Sequence, residues 1–200
     1  FNTDRRLMIH ELVRLVDGVP GDTAECGVFM GAGSYLICAA NEVNGGRTHH
    51  VFDSFEGLST PTEADGSHWT PGSMSFELEG VRRNLGEFSR VRYHKGWVPT
   101  RFDDVADTTF AFVHIDVDLA QPTRDSMEFF YPRMGDGGII VCDDYGFTTC
   151  PGATQSIDHF LADKSEKMIR LSAGGGFMIK GTRTSQAPLA SLTGARLASV

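Results

Sequence analysis

Two pairs of carboxylates stand where buried strands are predicted to end. Asp116 and Asp118 directly follow the strand predicted at 109–115, and Asp143 and Asp144 follow a second apolar run. In an open α/β sheet, ligands bind in the crevice outside the carboxyl ends of the strands. Four carboxylates gathered there repel one another unless a cation or shared protons neutralise them. A set of oxygen ligands with little His or Cys nearby favours magnesium, calcium or manganese over zinc.

A purely structural role is the alternative for each of these aspartates, because Asp is common at helix caps and in turns. That alternative accounts well for a single Asp. It accounts less well for two clusters at the ends of two strands, since grouped ionisable residues in a crevice are typical of functional sites. The two clusters together therefore predict a binding or catalytic site.

A glycine-rich turn near the N-terminus predicts a second binding element. Gly27, Gly31 and Gly33 lie where a predicted strand gives way to a predicted helix, so the backbone can approach a ligand that also meets the unpaired N–H groups of the helix start. Glycines also serve ordinary turns, and their spacing here does not match the GxGxxG of dinucleotide sites. Asp53 ends the next predicted strand, where a carboxylate can hold ribose hydroxyls. Glu25 would repel a pyrophosphate but attract an ammonium group, such as the amino-acid end of S-adenosylmethionine.

The elements that must position these residues alternate between helix and strand, which predicts a parallel sheet with right-handed crossovers. Apolar residues at helical spacing predict a first helix at 3–17, which Gly18 and Pro20 end. Residues 57–73 show little periodicity and are predicted to form a long functional loop. The other predicted elements are strands at 24–29, 50–53, 91–94, 109–115 and 138–142, helices at 34–43, 75–85, 99–105, 123–134 and 154–163, and a terminal pair at 167–171 and 176–180.

Length and composition are those of one globular domain, with 200 residues, 40% of them hydrophobic and 22% charged. We expect that domain over residues 1–181 and a mobile or lightly docked tail over 182–200. The net charge of -8 argues against a nucleic-acid partner. No apolar run is long enough for a membrane span, and the N-terminus lacks a signal-peptide layout. Four cysteines without CxxC spacing indicate reduced thiols, so we expect a cytoplasmic enzyme.

Several stretches, in order between residue 24 and about residue 181, resemble class I S-adenosylmethionine-dependent methyltransferases of the macrocin O-methyltransferase (TylF-type) family. The most specific are the run Phe-Asp-Ser-Phe-Glu-Gly-Leu at 52–58 and the run Asp-Asp-Tyr-Gly at 143–146. The other matching stretches are Glu25–Phe29, Lys95–Trp97, Ile115–Leu119 and Gly137-Gly138.

The resemblance implies a three-layer α/β/α Rossmann-like fold, with a seven-stranded, mostly parallel sheet of order 3-2-1-4-5-7-6 and a reversed seventh strand. It implies magnesium ligands at Asp116, Asp143 and Asp144, and a general base at Asp118. It also implies that S-adenosylmethionine is the cofactor. The implied cofactor-binding residues are Glu25 and Gly27 near the methionine moiety, Asp53 at the ribose, and Ser34, Ser54, Gly96, Trp97 and Asp116. Trp97 could flank the adenine, but packing in the core is the alternative for this side chain.

The expected reaction is a magnesium-dependent O-methylation in secondary metabolism, such as antibiotic biosynthesis. Methyl transfer is an in-line displacement, for which positioning supplies much of the rate. A magnesium ion at the aspartates could bind the acceptor hydroxyl and lower its pKa, while Asp118 takes the proton. Alternation in an extended chain would put Asp118 on the same side as Asp116 and His114. A vicinal diol suits such an ion, so we expect a small-molecule acceptor with a sugar or phenol hydroxyl, such as a glycoside or another polyhydroxylated metabolite.

Two other functions stay open at this point. A metal-assisted hydrolase could use the four aspartates, but the glycine turn and Asp53 would then be unexplained. A catalytically silent module that binds S-adenosylmethionine would have no need of the aspartates. The chain also departs from the family pattern, with Phe29-Met30 where a bulky-polar pair is frequent and Ala120 where Tyr is common. We expect most of the family's N-terminal lid to be missing, which leaves acceptor recognition and self-association open.

Overall fold

A computed structural model of the chain describes residues 3–43 and 45–183. The helices in those ranges are α1 (Thr3–Arg14), α2 (Ala32–Val43), α3 (Leu78–Asn84), α4 (Ala120–Phe130) and α5 (Pro151–Phe160). The strands are β1 (Asp22–Cys26), β2 (His49–Asp53), β3 (Val91–Lys95), β4 (Phe110–Ile115), β5 (Met134–Cys142), β6 (Ile169–Arg170) and β7 (Gly176–Ile179).

The seven strands form one sheet in the order β3-β2-β1-β4-β5-β7-β6. The first five strands of that order pair in parallel, and β7 runs antiparallel to both β5 and β6. The α/β class and the strand order implied by the family resemblance are therefore confirmed. In this order β1, β4 and β5 occupy the centre, so the carboxyl ends of the strands that precede the predicted site residues lie side by side.

The core lies on both faces of the sheet. All six residues of β4 are buried, which explains its unbroken apolar sequence, because a central parallel strand is covered from both sides. One face packs against α1, α2 and α3. The other face packs against α4, α5 and a short 3-10 helix at Phe102–Val105. Helices thus cover both faces, as the three-layer prediction required.

Several element boundaries differ from the sequence prediction. β1 was predicted at 24–29 but ends at Cys26, because Gly27 adopts a positive φ of 77° and turns the chain away from the sheet. The α4 helix was predicted at 123–134 but begins three residues earlier. Its first backbone N–H, that of Ala120, donates to the carboxylate of Asp65 at 2.6 Å, and this contact comes from a loop 55 residues away in sequence.

Other helices are shorter than predicted. α1 ends at Arg14 rather than at residue 17, and α3 covers seven residues of the predicted 75–85. The loop predicted at 57–73 contains a 3-10 turn at Glu63–Asp65, so it is not wholly irregular. Most of the tail predicted to be mobile lies outside the described residues. No helix among the described residues is long and apolar enough to cross a membrane.

Candidate functional site

Two spaces open at the carboxyl ends of the central strands, and Asp116 lines both. The first, here called the glycine-turn cleft, has a volume of about 650 Å³ and lies over the turn between β1 and α2. The second, here called the α1 cavity, has a volume of about 1030 Å³ and lies between α1, the start of α2 and the ends of β4 and β5. The residues that line both spaces are Val28, Phe29, Met74 and Asp116.

The glycine turn is held against the end of β4. Gly27 donates its N–H to the carbonyl oxygen of Phe52 at 2.9 Å, and Asp116 donates to that of Cys26 at 2.8 Å. A Cβ atom at Gly27 would collide with the backbone carbonyl of Asp116. The sequence therefore needs glycine here so that β1 and β4 can present their ends to one ligand.

Asp53 lies at the end of β2 and lines the glycine-turn cleft. Its two carboxylate oxygens accept the backbone N–H groups of Val28 at 2.8 Å and Phe55 at 2.6 Å. Burial raises the pKa of Asp53, and these two hydrogen bonds act against that rise. Each carboxylate oxygen has a second lone-pair direction, so the group can still accept hydrogen bonds from a ligand in the cleft.

Trp97 is 47% exposed and forms one wall of the same cleft. Its indole N–H donates to the carbonyl oxygen of Gly57 at 3.2 Å, and Ser54 donates its hydroxyl to the same oxygen at 2.9 Å. Gly96 is not among the described lining residues of the cleft. It donates its N–H to the carbonyl oxygen of Asp53 at 2.9 Å and so helps to place Trp97.

Glu25 is buried at 2% exposure and its carboxylate already has two partners. The hydroxyl of Ser34 donates to one oxygen, and His114 Nδ1 lies 2.7 Å from the other. Because the single proton of Ser34 is used towards Glu25, the 3.1 Å contact with His49 Nε2 requires His49 to donate. Burial lowers the pKa of His49 to about 4, which leaves a neutral ring whose Nδ1 accepts from Thr23 at 3.0 Å.

Thr23, His49 and Ser34 therefore form a chain of successive donors that ends at Glu25, and His114 contacts the other oxygen of Glu25. His114 lines the α1 cavity, and its Nε2 is buried without a hydrogen-bond partner. Nε2 lies 3.8 Å from Oδ1 of Asp143. Burial alone would lower the pKa of His114, but the hydrogen bond and charge of Glu25 outweigh burial and raise it. An ammonium group that contacted Glu25 directly would have to share oxygens that Ser34 and His114 already use.

Three aspartates converge between the two spaces. One carboxylate oxygen from each of Asp116, Asp143 and Asp144 lies within 4.8 Å of the others. Burial, followed by the charge of Asp144, raises the pKa of Asp116 to about 7; burial and the charge of Asp118 do the same for Asp144. Oxygen donors at this spacing fit a hard divalent cation.

Arg5 supplies positive charge to this cluster from α1. Its Nε donates to Oδ1 of Asp143 at 2.9 Å, and a terminal nitrogen forms an ion pair with Oδ2 of the same residue. The guanidinium also lies over the ring of Phe147, 5.0 Å from its centroid. Nothing in the carboxylate pattern of the sequence indicated this pairing, because the two residues are 138 positions apart.

Asp118 lies beside the cluster, in the glycine-turn cleft. The alternation argument was wrong for this residue, because β4 ends at Ile115 and Asp118 has a φ of +59°. The turn still brings Asp118 to the cluster, since its backbone N–H donates to Asp144 Oδ2 at 2.8 Å. His114, by contrast, lines the α1 cavity. Burial and then the charge of Asp116 raise the pKa of Asp118 to about 7.

Cys150 was read from the sequence only as a reduced thiol, and it lies directly against the cluster. Its Sγ is 3.6 Å from Oδ1 of Asp118 and 3.7 Å from Oδ1 of Asp144, and the indole N–H of Trp69 donates to the sulfur at 3.4 Å. Burial raises the pKa of Cys150 to about 12, so the thiol stays protonated and can donate to the carboxylates. The sequence could have indicated this contact, because Cys150 lies at the start of α5, shortly after the second aspartate pair.

Comparison with known proteins gives one consistent result. A sequence model of the family described as macrocin-O-methyltransferase (TylF) matches residues 4–171. The 8-demethyl-8-(2,3-dimethoxy-alpha-L-rhamnosyl)-tetracenomycin-C 4'-O-methyltransferase of Streptomyces olivaceus is 32% identical over 154 residues, which are 70% of this chain and 58% of the relative. The demethyldecarbamoylnovobiocin O-methyltransferase of Streptomyces niveus is 30% identical over 176 residues, which are 80% of this chain and 66% of the relative.

Two solved structures show the same likeness in three dimensions. The O-methyltransferase NovP superposes with a TM-score of 0.72 at 29% identity, covering 88% of this chain and 79% of NovP. The calicheamicin methyltransferase CalS11 superposes with a TM-score of 0.77 at 21% identity, covering 90% of this chain and 80% of CalS11. The likeness to CalS11 concerns the fold alone. The chain spans between 58% and 66% of the length of the curated relatives it matches.

Proposed function

Because the chain belongs to the macrocin O-methyltransferase (TylF) family, we propose that it transfers the methyl group of S-adenosylmethionine to a hydroxyl of a glycosylated small molecule. The observation that carries this proposal is the position of Asp116, which lines both the glycine-turn cleft and the α1 cavity. A methyl donor lying over the glycine turn and a hydroxyl held at the aspartates would meet there. One relative is named for a rhamnosyl-tetracenomycin, which supports a glycoside acceptor.

In this proposal the glycine-turn cleft takes the adenosine part of the donor. Asp53 accepts hydrogen bonds from the ribose hydroxyls, and the exposed face of Trp97 packs against the adenine. Gly27 allows the backbone to approach the donor closely, and Ser54 and Gly96 hold the wall that carries Trp97. The methionine part extends past Asp116 towards Glu25, which lines the α1 cavity and accepts a hydrogen bond from the buried hydroxyl of Ser34.

The proposed metal site consists of Asp116, Asp143 and Asp144. Their oxygens fit a magnesium ion by type and by spacing. A bound ion would lower the pKa of the acceptor hydroxyl and fix its orientation. The charges also fit, because a divalent ion would stabilise the ionised form of buried carboxylates whose pKa values are raised.

Asp118 is the proposed general base. Methyl transfer forms an oxygen–carbon bond as the carbon–sulfur bond breaks, and the hydroxyl proton must leave to a base. Asp118 lines the glycine-turn cleft next to Asp116, so its carboxylate would lie beside a hydroxyl held at the aspartates and could accept the proton. The surrounding residues position the two reactants, and this positioning supplies the rest of the rate acceleration, since no covalent intermediate is needed.

The proposed setting is the cytoplasm, because Cys26, Cys38, Cys142 and Cys150 are all buried free thiols. The proposed partners are small molecules.

Turnover assays with a panel of hydroxylated acceptors test the proposal. Purified protein is incubated with S-adenosylmethionine, magnesium and deoxysugar glycosides or catechols, and S-adenosylhomocysteine and methylated product are quantified by mass spectrometry. We expect equal amounts of the two products, with loss of turnover on chelation and recovery on adding magnesium. Asp143→Asn and Asp144→Asn should lose turnover, whereas Asp107→Asn, an exposed matched control, should not.

Three outcomes would contradict parts of this proposal. Binding of S-adenosylmethionine without transfer to any hydroxyl would favour the silent binding module. Cleavage of an ester or phosphate without consumption of S-adenosylmethionine would favour the hydrolase. Full turnover after rigorous chelation would overturn the metal role and leave the methyltransferase assignment intact.

A further inference from the structure

Arg5 contacts both carboxylate oxygens of Asp143. Its Nε donates to Oδ1 at 2.9 Å, and a terminal nitrogen pairs with Oδ2. This two-point contact is the arrangement in which a planar guanidinium binds a carboxylate most strongly. The Arg5 side chain is 28% exposed and that of Asp143 is 11% exposed, so the pair is only partly screened by solvent.

The same carboxylate belongs to the proposed metal site. A divalent ion at Asp116, Asp143 and Asp144 would lie next to the guanidinium of Arg5. Two neighbouring cations repel each other strongly in a partly buried site. Arg5 and a divalent ion therefore compete for Asp143. In the structure, the guanidinium of Arg5 contacts this carboxylate.

The α1 cavity offers Arg5 a second anionic partner. Among its described lining residues, the side chains with a permanent positive charge are Arg5 and Arg6, and both belong to α1. Ala32 and Gly33, in the first turn of α2, also line this cavity. The first turn of a helix has N–H groups without intrahelical partners and favours a negative charge. The acidic residues Glu25, Asp116 and Asp143 line the same cavity, so a bound carboxylate would need Arg5 and the first turn of α2 to offset their charge.

We propose that Arg5 is a counter-ion switch that pairs with Asp143 when no divalent ion is present, and with the carboxylate of the cofactor's methionine part when an ion takes Asp143. This inference rests on the proposed function. The ion displaces the guanidinium, and the displaced guanidinium gains the cofactor carboxylate at the start of α2. Ion and cofactor therefore promote each other's binding, and by thermodynamic reciprocity the two effects are equal.

Titration calorimetry tests the switch without measuring turnover. Magnesium is titrated into the protein alone, and S-adenosylhomocysteine is titrated with and without saturating magnesium. For the unaltered chain we expect magnesium to tighten S-adenosylhomocysteine binding about tenfold, within the usual range of coupling between two sites. For Arg5→Gln we expect magnesium alone to bind about tenfold more tightly, since its competitor is gone, and its effect on S-adenosylhomocysteine binding to fall below about twofold.

Arg14→Gln is the matched control, because Arg14 lies on the same helix and pairs with exposed Glu11. It should behave as the unaltered chain. Arg5→Lys is a second variant that keeps the charge but loses the two-point contact, so its magnesium affinity should fall between the other two. It also keeps the test open if Arg5→Gln does not fold.

The outcomes separate this inference from the proposed function. Magnesium binding that is unchanged or weaker in both Arg5 variants would overturn the switch and leave the metal site in place. Coupling that persists near tenfold in Arg5→Gln would overturn the transfer of Arg5 to the cofactor carboxylate. Absence of any magnesium binding to the unaltered chain would overturn both the switch and the proposed metal role.

Discussion

Asp53 has two roles, and its contacts distinguish them. Its carboxylate accepts the backbone N–H groups of Val28 and Phe55, so it holds the glycine turn together before any ligand binds. It also faces the glycine-turn cleft, where we propose that it binds ribose. A substitution at this position should therefore affect both stability and cofactor affinity.

Asp53→Ala should weaken binding of S-adenosylmethionine by about 1.5–3 kcal/mol, the value of a hydrogen bond to a charged group. Calorimetry measures this loss, and thermal unfolding measures the separate cost of leaving two N–H groups unpaired. Asp53→Asn is the matched variant, since its single carbonyl oxygen can satisfy only part of these contacts. Unchanged affinity in a folded Asp53→Ala protein would remove Asp53 from the cofactor site.

Asp118 and Asp116 are neighbours with different proposed roles, and substitutions should distinguish them. Asp118→Asn should retain magnesium and S-adenosylmethionine but lose turnover by about 10²–10⁴, the usual contribution of a positioned base. Asp116→Asn should lose metal affinity first and recover in part at high magnesium. Single-turnover rates over a range of magnesium concentrations separate the two effects. A loss within about twofold for Asp118→Asn, far below that range, would mean that Asp118 is not the base.

The loop at 57–73 is positioned by one buried carboxylate. Asp65 is 2% exposed and accepts hydrogen bonds from the backbone N–H and the hydroxyl of Thr62, at 2.7 and 2.8 Å. Its other oxygen accepts the N–H of Ala120 at the start of α4. One side chain thus closes the 3-10 turn and caps a helix that begins just after the first aspartate pair. The loop is therefore tied to the site through α4.

Asp65→Ala should lower the free energy of unfolding by about 1–3 kcal/mol, because it leaves buried donors without a partner. Denaturant unfolding monitored by circular dichroism measures this loss. Glu63→Ala, an exposed change in the same turn, should have little effect. If Asp65→Ala were as stable as the unaltered chain, the loop would not depend on this anchor, and its tie to α4 would need another cause.

The sheet topology concentrates negative charge at one edge of the molecule. Parallel pairing of β1, β4 and β5 places the ends of three strands together, and each brings acidic residues to the same place. The folded chain therefore holds Asp116, Asp118 and Asp144 at pKa values of about 7, whereas an exposed Asp titrates near 3.8. The folded state retains protons that the unfolded chain has already lost.

This difference predicts how stability depends on pH. Between about pH 4 and 7 the folded state binds more protons than the unfolded state, so the free energy of unfolding should fall as pH rises through that window. A divalent ion binds the ionised carboxylates, so magnesium should raise Tm more at pH 8 than at pH 5. Differential scanning calorimetry at the two pH values, with and without magnesium, measures both effects.

Asp144→Asn should flatten the pH dependence and reduce the magnesium effect, whereas Asp107→Asn should leave both unchanged. A magnesium-induced rise in Tm that is equal at pH 5 and pH 8 would contradict the assignment of the ion to these carboxylates.

The sequence by itself determined the order of the elements, the class of the fold and the positions of the four aspartates. Each follows from local information. Apolar periodicity distinguishes helix from strand, and residues at the ends of parallel strands must share one edge of the sheet. Resemblance to a family added the strand order, including the reversed β7, which periodicity alone does not contain.

Only the tertiary structure decided which residues complete the site. Arg5 meets Asp143 from 138 positions away, and Cys150 reaches Asp118 through the packing of α5 against α4. The hydrogen bonds that lead to Glu25 depend on which groups donate and which accept. The buried partners in the folded chain together determine those roles. The contacts of these residues depend on distance and burial in the folded chain. Charge pairing and hydrogen bonding act between residues that are close in the fold, whatever their separation along the chain.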